Sequence, residues 1–232
     1  MTSERTATDS EASLRSMATE EQRIKYERFF PGDDSLIGVR MGDVFNLART
    51  ALSMPVAELE ALLESSTHEV RVGACSIMGK SATAKKVTSD RRQELYELYL
   101  RRHDRINTWD LVDLGAHQVL GHWLLDKPRT PLYDLARSDF WPERRSAIVA
   151  TAAYLRRDET DDTLRIAALL ADDGEEFVQK GVGWMLRYVG DVDRARLLVH
   201  LDEYAEKMSR TAVRAAIEKL DRPTRERYLE RP

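Results

Sequence analysis

Apolar residues recur at helical spacing along most of the chain, in stretches of about 10 to 20 residues. Short breaks separate these stretches, and four of the breaks fall near prolines: Pro31, Pro55, Pro128 and Pro142. Because proline lacks a backbone donor and ends a helix, these positions predict helix boundaries. No stretch alternates apolar and polar residues convincingly, as a half-buried strand would, so the pattern predicts an all-α protein.

The first 18 residues do not share this pattern. They are rich in Ser, Thr and Glu and carry little apolar periodicity, which predicts a mobile polar tail over residues 1–18. A chain of 232 residues is long enough for one elongated domain or two small ones. We expect residues 19–232 to form a single helical domain.

Five helical segments can be aligned with one another: HEVRVGACSI, NTWDLVDLGA, PERRSAIVAT, FVQKGVGWML and AVRAAIEKL. The alignment makes five residues equivalent, which we call the anchors: Arg71, Thr108, Arg144, Gln179 and Arg214. Successive anchors are 37, 36, 35 and 35 residues apart. Two-helix repeats of this period are typical of an α-solenoid, in which each repeat covers its neighbour's apolar face and the stack curves around a concave surface.

The anchors separate a core face from a second face of mixed chemistry. Three residues beyond each anchor the side chain is always apolar, as expected of positions packed against partner helices: Ala74, Leu111, Ala147, Val182 and Ile217. The second face carries, in the three central repeats, Trp109 and Asp113, Arg145 and Val149, and Lys180 and Trp184, and in the two outer repeats Val72 and Ser76, and Ala215 and Lys219. A lone tryptophan is more often a core residue and a lone arginine or lysine a solvated charge, but the shared register favours a functional concave face.

Trp109 and Asp113 stand four residues apart in the run NTWDLVD, which places them on one face of a helix. The face of an aromatic ring attracts positive charge through its quadrupole, and a fixed carboxylate does so directly. The pair is therefore suited to stabilising a cation that develops during a reaction.

Composition and charge narrow the class of protein. Charged residues make up 33% of the chain and hydrophobic residues 42%, with few Gly and Pro. No apolar run approaches the roughly 20 residues that cross a bilayer, so we expect a cytoplasmic protein without a membrane partner. The single cysteine, Cys75, lies in an apolar helical pattern and is interpreted as a buried, inert thiol. Histidine and cysteine spacings predict no metal site.

The aligned segments resemble the AlkD-type DNA alkylation repair glycosylases, which are solenoids of HEAT-like repeats. The resemblance runs from KYERFF and LIGVR, through NTWDLVDLGA and SDFWPERRSAIVAT, to FVQKGVGWMLRYVG, and therefore covers most of the chain. It implies an α-solenoid of HEAT-like two-helix repeats with a concave DNA-binding cleft. It also implies hydrolysis of the N-glycosidic bond of N3- or N7-alkylated purines in duplex DNA, without base flipping, metal or other cofactor. We expect a monomer.

The resemblance also assigns roles to individual residues. Asp113 corresponds to the catalytic carboxylate, which stabilises the sugar cation and positions the attacking water. Trp109 and Trp184 correspond to the aromatic residues that flank the damaged nucleotide. Arg145 corresponds to a phosphate-binding residue, and Tyr26 to a further aromatic that lines the cleft.

The acidic balance of the chain is unusual for a DNA-binding protein. The net charge is −4 and the pI about 5.8, whereas nucleic-acid binding usually leaves a basic footprint. DNA binding therefore requires the basic residues to gather on one face. Candidates on or beside the inner helices include Lys80, Arg144, Lys180 and Arg187, together with Arg145.

Two other functions are compatible with the same fold. One is a non-catalytic HEAT-repeat binder of damaged or branched DNA. The other is a protein-binding scaffold, because solenoids commonly bind peptides or proteins along their concave face. Retention of Trp109, Asp113, Arg145 and Trp184 together favours the enzyme.

Overall fold

The protein is described by a computed structural model that covers residues 5–30 and 35–230. Within these ranges all regular structure is helical, which confirms the predicted all-α class. The chain divides into two compact units, Met1–Val119 and Leu120–Pro232. The expectation of one domain over residues 19–232 stays a prediction. In the described part of the chain no helix is long and apolar enough to cross a membrane.

The first unit contains seven α-helices among its described residues. They are α1 (Ala7–Ser16), α2 (Glu20–Glu27), α3 (Met41–Arg49), α4 (Val56–Glu64), α5 (His68–Ala82), α6 (Ser89–Arg101) and α7 (Trp109–Gly115). A 3₁₀ turn, His103–Arg105, connects α6 to α7, and a π-helical turn, Ala116–Gly121, follows α7.

The second unit continues with eight α-helices in its described part. They are α8 (Thr130–Leu135), α9 (Trp141–Ala150), α10 (Ala152–Leu155), α11 (Asp161–Leu169), α12 (Glu176–Val192), α13 (Arg194–Tyr204), α14 (Arg210–Ala216) and α15 (Arg222–Leu229). Three of the predicted boundaries are confirmed: Pro55 is the N-cap of α4, Pro128 lies just before α8, and Pro142 lies in the first turn of α9. The fourth, Pro31, lies outside the described residues.

The expectation of a mobile tail over residues 1–18 is wrong for the ten residues of α1. The Thr6 hydroxyl accepts the backbone N–H of Asp9 and caps this helix. Leu14 is fully buried, and the Ala7 N–H donates to the Glu58 carboxylate at 2.6 Å. A capping residue and a single buried leucine are too weak a signal to distinguish a docked helix from a polar tail by sequence, because the stabilising contacts come from distant residues.

The predicted core face is confirmed in every repeat. The five residues three positions beyond the anchors are all buried, with at most 1% of their surface exposed: Ala74, Leu111, Ala147, Val182 and Ile217. In the first unit α5 packs on α4 and on α7, and in the second unit α12 packs on α9 and α14. The aligned helices are therefore neighbours in space within each unit, as the repeat period predicts.

Three of the five anchors have a role that the alignment did not reveal. Arg71 donates to the Asn107 side chain at 2.8 Å, Arg144 forms two hydrogen bonds with Asp173, and Gln179 accepts the backbone N–H of Ser209 at 3.0 Å. In each case the anchor reaches the segment that precedes the next aligned helix. These polar positions therefore join consecutive repeats, because they satisfy groups at the start of the following helix.

The mixed second face is less exposed than predicted. Val72, Ser76, Arg145 and Val149 are buried, whereas Trp109, Asp113 and Trp184 are half-buried. Lys180 and Lys219 are exposed. Only part of this face is therefore open to a ligand, and its most concentrated chemistry lies around α7.

Candidate functional site

A cavity of about 320 Å³ opens beside the start of α7, entirely within the first unit. Five aromatic side chains and two carboxylates line it: Tyr26, Phe29, Phe30, Phe45, Trp109, Asp110 and Asp113. We call it the aromatic cavity. The helical spacing of Trp109 and Asp113 brings both to this wall, as predicted. An aromatic wall with carboxylates is suited to a planar, positively charged ligand.

Phe30 covers one side of Trp109. The two rings are nearly parallel, at 5° with centroids 5.9 Å apart, and Phe30 also lies 4.6 Å from the His68 ring. Aromatic pairs in offset-stacked geometry hold each other's orientation. Phe30 therefore belongs to the wall of the cavity, a position that the motif KYERFF did not indicate.

A hydrogen bond to Tyr26 joins α2, the helix that contains this residue, to the start of α3. Its hydroxyl oxygen accepts the backbone N–H of Met41, at the start of α3, at 3.0 Å. Burial raises the pKa of the Tyr26 hydroxyl above its ordinary value. The tyrosine thus remains neutral at physiological pH and can contribute its aromatic face to the cavity, as the family resemblance suggested.

The buried carboxylate of Glu69 organises the backbone that closes the cavity. It accepts the backbone N–H groups of Ile37, Gly38 and Val39 at distances of 2.7 to 3.2 Å. Gly38 has a φ of 86°, and a Cβ there would lie 2.1 Å from the Thr19 carbonyl oxygen. A glycine is required at this point because both the backbone conformation and the space exclude a side chain.

Asp110, which lines the cavity together with Asp113, is held by the buried side chain of His68. The Nε2 atom of His68 lies 2.8 Å from Oδ2 of Asp110, and the Thr108 hydroxyl donates to Oδ1 at 2.6 Å. His68 is fully buried. Its Nδ1 atom has no hydrogen-bond partner in the described part of the chain. Because a carboxylate only accepts, His68 donates through Nε2.

This environment keeps Asp110 ionised. Burial opposes the charge, but the hydrogen bond and charge of His68, together with Thr108, outweigh burial and lower the pKa of Asp110 below its ordinary value. At neutral pH the aromatic cavity therefore contains the negative charge of Asp110 besides any charge on Asp113.

Neither His68 nor Asp110 was predicted as a site residue. The repeat period of 37 residues aligns His68 with Arg105, so the register gives no reason to pair it with Asp110, which is 42 residues away. The only sequence feature that linked Asp110 to the site was its position next to Trp109 in the chain. The contact depends on how α5 and α7 pack, and this cannot be read from periodicity.

We expect the contribution of Asp110 to folding to depend on pH. A carboxylate with a lowered pKa stabilises the fold above about pH 4, the ordinary aspartate value, and loses that contribution as the pH falls through the lowered value. Asp110→Asn should therefore lower the free energy of unfolding by about 1.5 to 3 kcal/mol near neutral pH, with a smaller difference from the wild type in acid. Urea denaturation at several pH values measures this.

The matched control for this prediction is Asp126→Asn. Asp126 is largely exposed and pairs with Arg157 at 3.2 Å, so its loss should change stability little at any pH. An Asp110→Asn difference that stays constant between neutral pH and pH values below that of ordinary aspartate would contradict the ionised assignment.

The remaining predicted site residues lie in the second unit. Trp184 is half-buried on α12 and packs edge-on against Tyr188, with ring centroids 5.9 Å apart. Arg145 is buried, and its Nη1 donates to the Phe177 carbonyl. The first unit thus brings Tyr26, Trp109 and Asp113 to one cavity, and these two residues are not among the side chains that line it.

Each basic residue predicted to contact DNA has an intramolecular partner. Lys180 pairs with Glu176 at 2.7 Å and Arg187 with Glu218, and both pairs are partly exposed. Exposed ion pairs contribute little and exchange easily, so these two cations can still bind phosphate. Arg144 differs, because its bidentate pair with Asp173 and its bonds to the Ser138 and Asp139 carbonyls hold it between repeats. DNA contact by these residues stays a prediction.

Two further groups bear on the chemistry. Cys75 is buried, as predicted, and burial raises the pKa of its thiol, which disfavours the reactive thiolate. Among the described residues, no group of three or more His, Cys, Asp and Glu side chains is placed to hold a metal ion.

Comparison with known proteins gives a family and a fold. Residues 10–220 match the family model described as DNA alkylation repair enzyme. Among solved structures, a predicted DNA alkylation repair enzyme from Enterococcus faecalis is similar at a TM-score of 0.70 and 17% identity, covering 89% of this chain and 98% of that one. AlkD2 from Streptococcus mutans is similar at a TM-score of 0.55 and 17% identity, covering 86% and 100%. No curated protein matched the sequence.

Proposed function

Because the chain belongs to the DNA alkylation repair enzyme family, we propose that it is a glycosylase that hydrolyses the N-glycosidic bond of cationic alkylpurines in duplex DNA. The observation that carries this proposal is the aromatic cavity, in which Trp109 lies beside Asp110 and Asp113. N3- or N7-alkylation gives a purine a formal positive charge. A cavity of this composition attracts such a base and stabilises the positive charge that moves to the sugar as the bond breaks.

The proposed reaction needs one carboxylate and one water molecule. The bond between C1′ and the base nitrogen breaks, and its electron pair neutralises the positively charged base, which leaves without a general acid. The sugar becomes an oxocarbenium-like cation, which the Asp113 carboxylate stabilises directly. Water, oriented by the Asp113 carboxylate, then adds to C1′ and transfers a proton to that carboxylate, which releases the proton to solvent. Asp110 contributes a second, fixed negative charge.

Trp109 offers one face to the lesion in this proposal. A ring inserted between Trp109 and Phe30 would need their planes about 7 Å apart, twice the usual contact distance of about 3.5 Å. With centroids 5.9 Å apart the two rings leave no such slot. This supports recognition from one side of Trp109, without enclosing the base between Trp109 and Phe30, and we propose that the base is not flipped. A cation over one indole face gains about 0.5 to 2 kcal/mol.

The roles of the other predicted residues rest on the family resemblance. We propose that Trp184 makes a second aromatic contact with the damaged nucleotide and that Tyr26 lines the approach to it. We propose backbone phosphate contacts for Arg145, with Arg144, Lys180 and Arg187 in supporting positions. Arg145 would then exchange its bond with the Phe177 carbonyl for a phosphate oxygen.

A second candidate is a non-catalytic binder of damaged or branched DNA. The observation in its favour is Phe30, which covers a face of Trp109 that a lesion could otherwise use. A protein-binding scaffold is a third class, and it predicts negligible affinity for DNA.

The deciding experiment is single-turnover release of 7-methylguanine from alkylated duplex DNA, with binding to the same duplex titrated at several salt concentrations. Release supports the glycosylase. Salt-dependent binding without release, including from duplexes that carry bulky adducts, supports the binder. Absence of binding at low salt excludes both and leaves the scaffold.

A further inference from the structure

Two helix faces lead away from the aromatic cavity to a pair of basic residues. On α5 the residues His68, Val72, Ser76 and Lys80 follow one another at intervals of four, and on α3 Met41, Phe45 and Arg49 do the same. Residues four apart share a helix face. The first two residues on each face line the cavity, and Lys80 and Arg49 end the two faces.

Lys80 remains close to the cavity although it lies two turns beyond Val72. Its Nζ atom is 4.9 Å from the centroid of the Phe45 ring, which is part of the cavity wall. Its side chain is half-buried and donates to the Ser76 hydroxyl at 2.6 Å. The ammonium group is therefore fixed at the rim of the cavity by an aromatic ring and a buried hydroxyl.

Neither cation is neutralised within the described part of the chain. Arg49 donates to the Asn46 side chain, which is uncharged, and Lys80 to Ser76. No carboxylate of the described residues forms an ion pair with either. Several other cations of the first unit do have such partners: Arg23, Lys25, Arg101 and Arg102.

The two charges also repel each other. Burial, followed by the charge of Arg49, lowers the pKa of Lys80. A basic residue in the last turn of a helix is ordinary, because it offsets the helix dipole. That effect does not explain why α3 and α5, which pack on each other, each end in a basic residue that has no ion-pair partner among the described residues. A bound anion would remove the repulsion.

We infer that Lys80 and Arg49 form a phosphate-binding site for the DNA strand whose alkylated nucleotide lies at the aromatic cavity. The site takes a phosphodiester close to the lesion, because the Lys80 ammonium and the cavity share the Phe45 ring. It rests on the DNA-binding part of the proposed function. It gives the first unit its own backbone contact, independent of the basic residues of the second unit.

The test is the salt dependence of binding to an undamaged duplex. Lys80→Gln and Arg49→Gln should each reduce the slope of log K against log salt by about 0.9, the value for one lost phosphate contact. Lys80→Arg should retain the slope. Lys25→Gln and Arg101→Gln are matched controls, because these cations are exposed and paired with Glu21 and Glu60, and they should leave the slope unchanged.

Duplexes with a single uncharged methylphosphonate linkage test the position of the contact. In the wild type, neutralising one phosphate beside the alkylated nucleotide should weaken binding, and the Lys80→Gln Arg49→Gln double variant should be insensitive to that same change. A wild-type slope in both single variants overturns the inference. A methylphosphonate effect that persists in full in the double variant also overturns it.

The outcomes for the phosphate site and for the glycosylase are separable. Reduced slopes without release by the wild type, from 7-methylguanine duplexes and from duplexes that carry bulky adducts, retain the phosphate site and exclude the glycosylase. Release with unchanged slopes retains the glycosylase and excludes the phosphate site. A wild type that does not bind duplex DNA excludes both.

Discussion

Asp113→Asn is expected to lower the single-turnover rate constant for 7-methylguanine release by about 10²- to 10³-fold. This is the usual loss when one preorganised electrostatic group is removed from a transition state. Asparagine has nearly the same shape but no charge, so it no longer stabilises the sugar cation or orients water as strongly. Binding of the alkylated duplex should change little, because the substrate base keeps Trp109 and Asp110 as partners in the cavity.

The comparison requires single-turnover kinetics and a separate binding measurement on the same duplex. Asp126→Asn is the matched control, since it removes an exposed aspartate outside the aromatic cavity and should leave the rate unchanged. An unchanged rate for Asp113→Asn would remove Asp113 from the mechanism. Equal losses of rate and affinity would instead make it a binding residue.

Glu69→Ala is expected to destabilise the protein by about 3 kcal/mol or more. The Glu69 carboxylate accepts the N–H groups of Ile37, Gly38 and Val39, and each buried donor left without an acceptor costs about 1 to 3 kcal/mol. The same segment carries Leu36 and leads into Met41, both of which line the aromatic cavity. The variant should therefore lose part of its activity at temperatures where it is still folded.

Urea denaturation monitored by circular dichroism measures this loss. Glu69→Gln should fall between the wild type and Glu69→Ala, because its amide oxygen still accepts hydrogen bonds. Glu94→Ala serves as the control, since Glu94 is exposed and its pair with Arg91 contributes about 1 kcal/mol at most. A loss for Glu69→Ala no larger than that for Glu94→Ala would mean that water replaces the carboxylate without penalty.

Residues of the first unit show how far a sequence alone can locate a site. Trp109 and Asp113 share a helix face by spacing, and Tyr26 was assigned by the family motif, and all three line the cavity. Phe30, His68 and Asp110 line it as well, yet no periodicity links them to it. Their contacts join segments about 40 to 80 residues apart in the chain, and a long-range contact has no local pattern to reveal it.

Arg144 shows that a correct register does not reveal the partner of a basic anchor. Arg144 was placed among the DNA-binding residues because it is basic and lies beside the mixed face. In the structure it bonds to Asp173 and joins two repeats, as Arg71 and Gln179 do. A basic side chain can bind a DNA phosphate or an acidic residue of a neighbouring loop. The sequence does not show which of these partners it contacts.

The sequence by itself determined the helical class, the repeat period, the core positions and the pairing of Trp109 with Asp113. Each of these follows from spacing along one helix or between equivalent helices, so local geometry is enough. Tertiary structure alone decided that residues 7–16 dock as a helix, that Glu69 holds the backbone before α3, and that the Lys80 ammonium lies against the Phe45 ring. These features depend on which side chains face each other across packed helices, and helix spacing does not specify that.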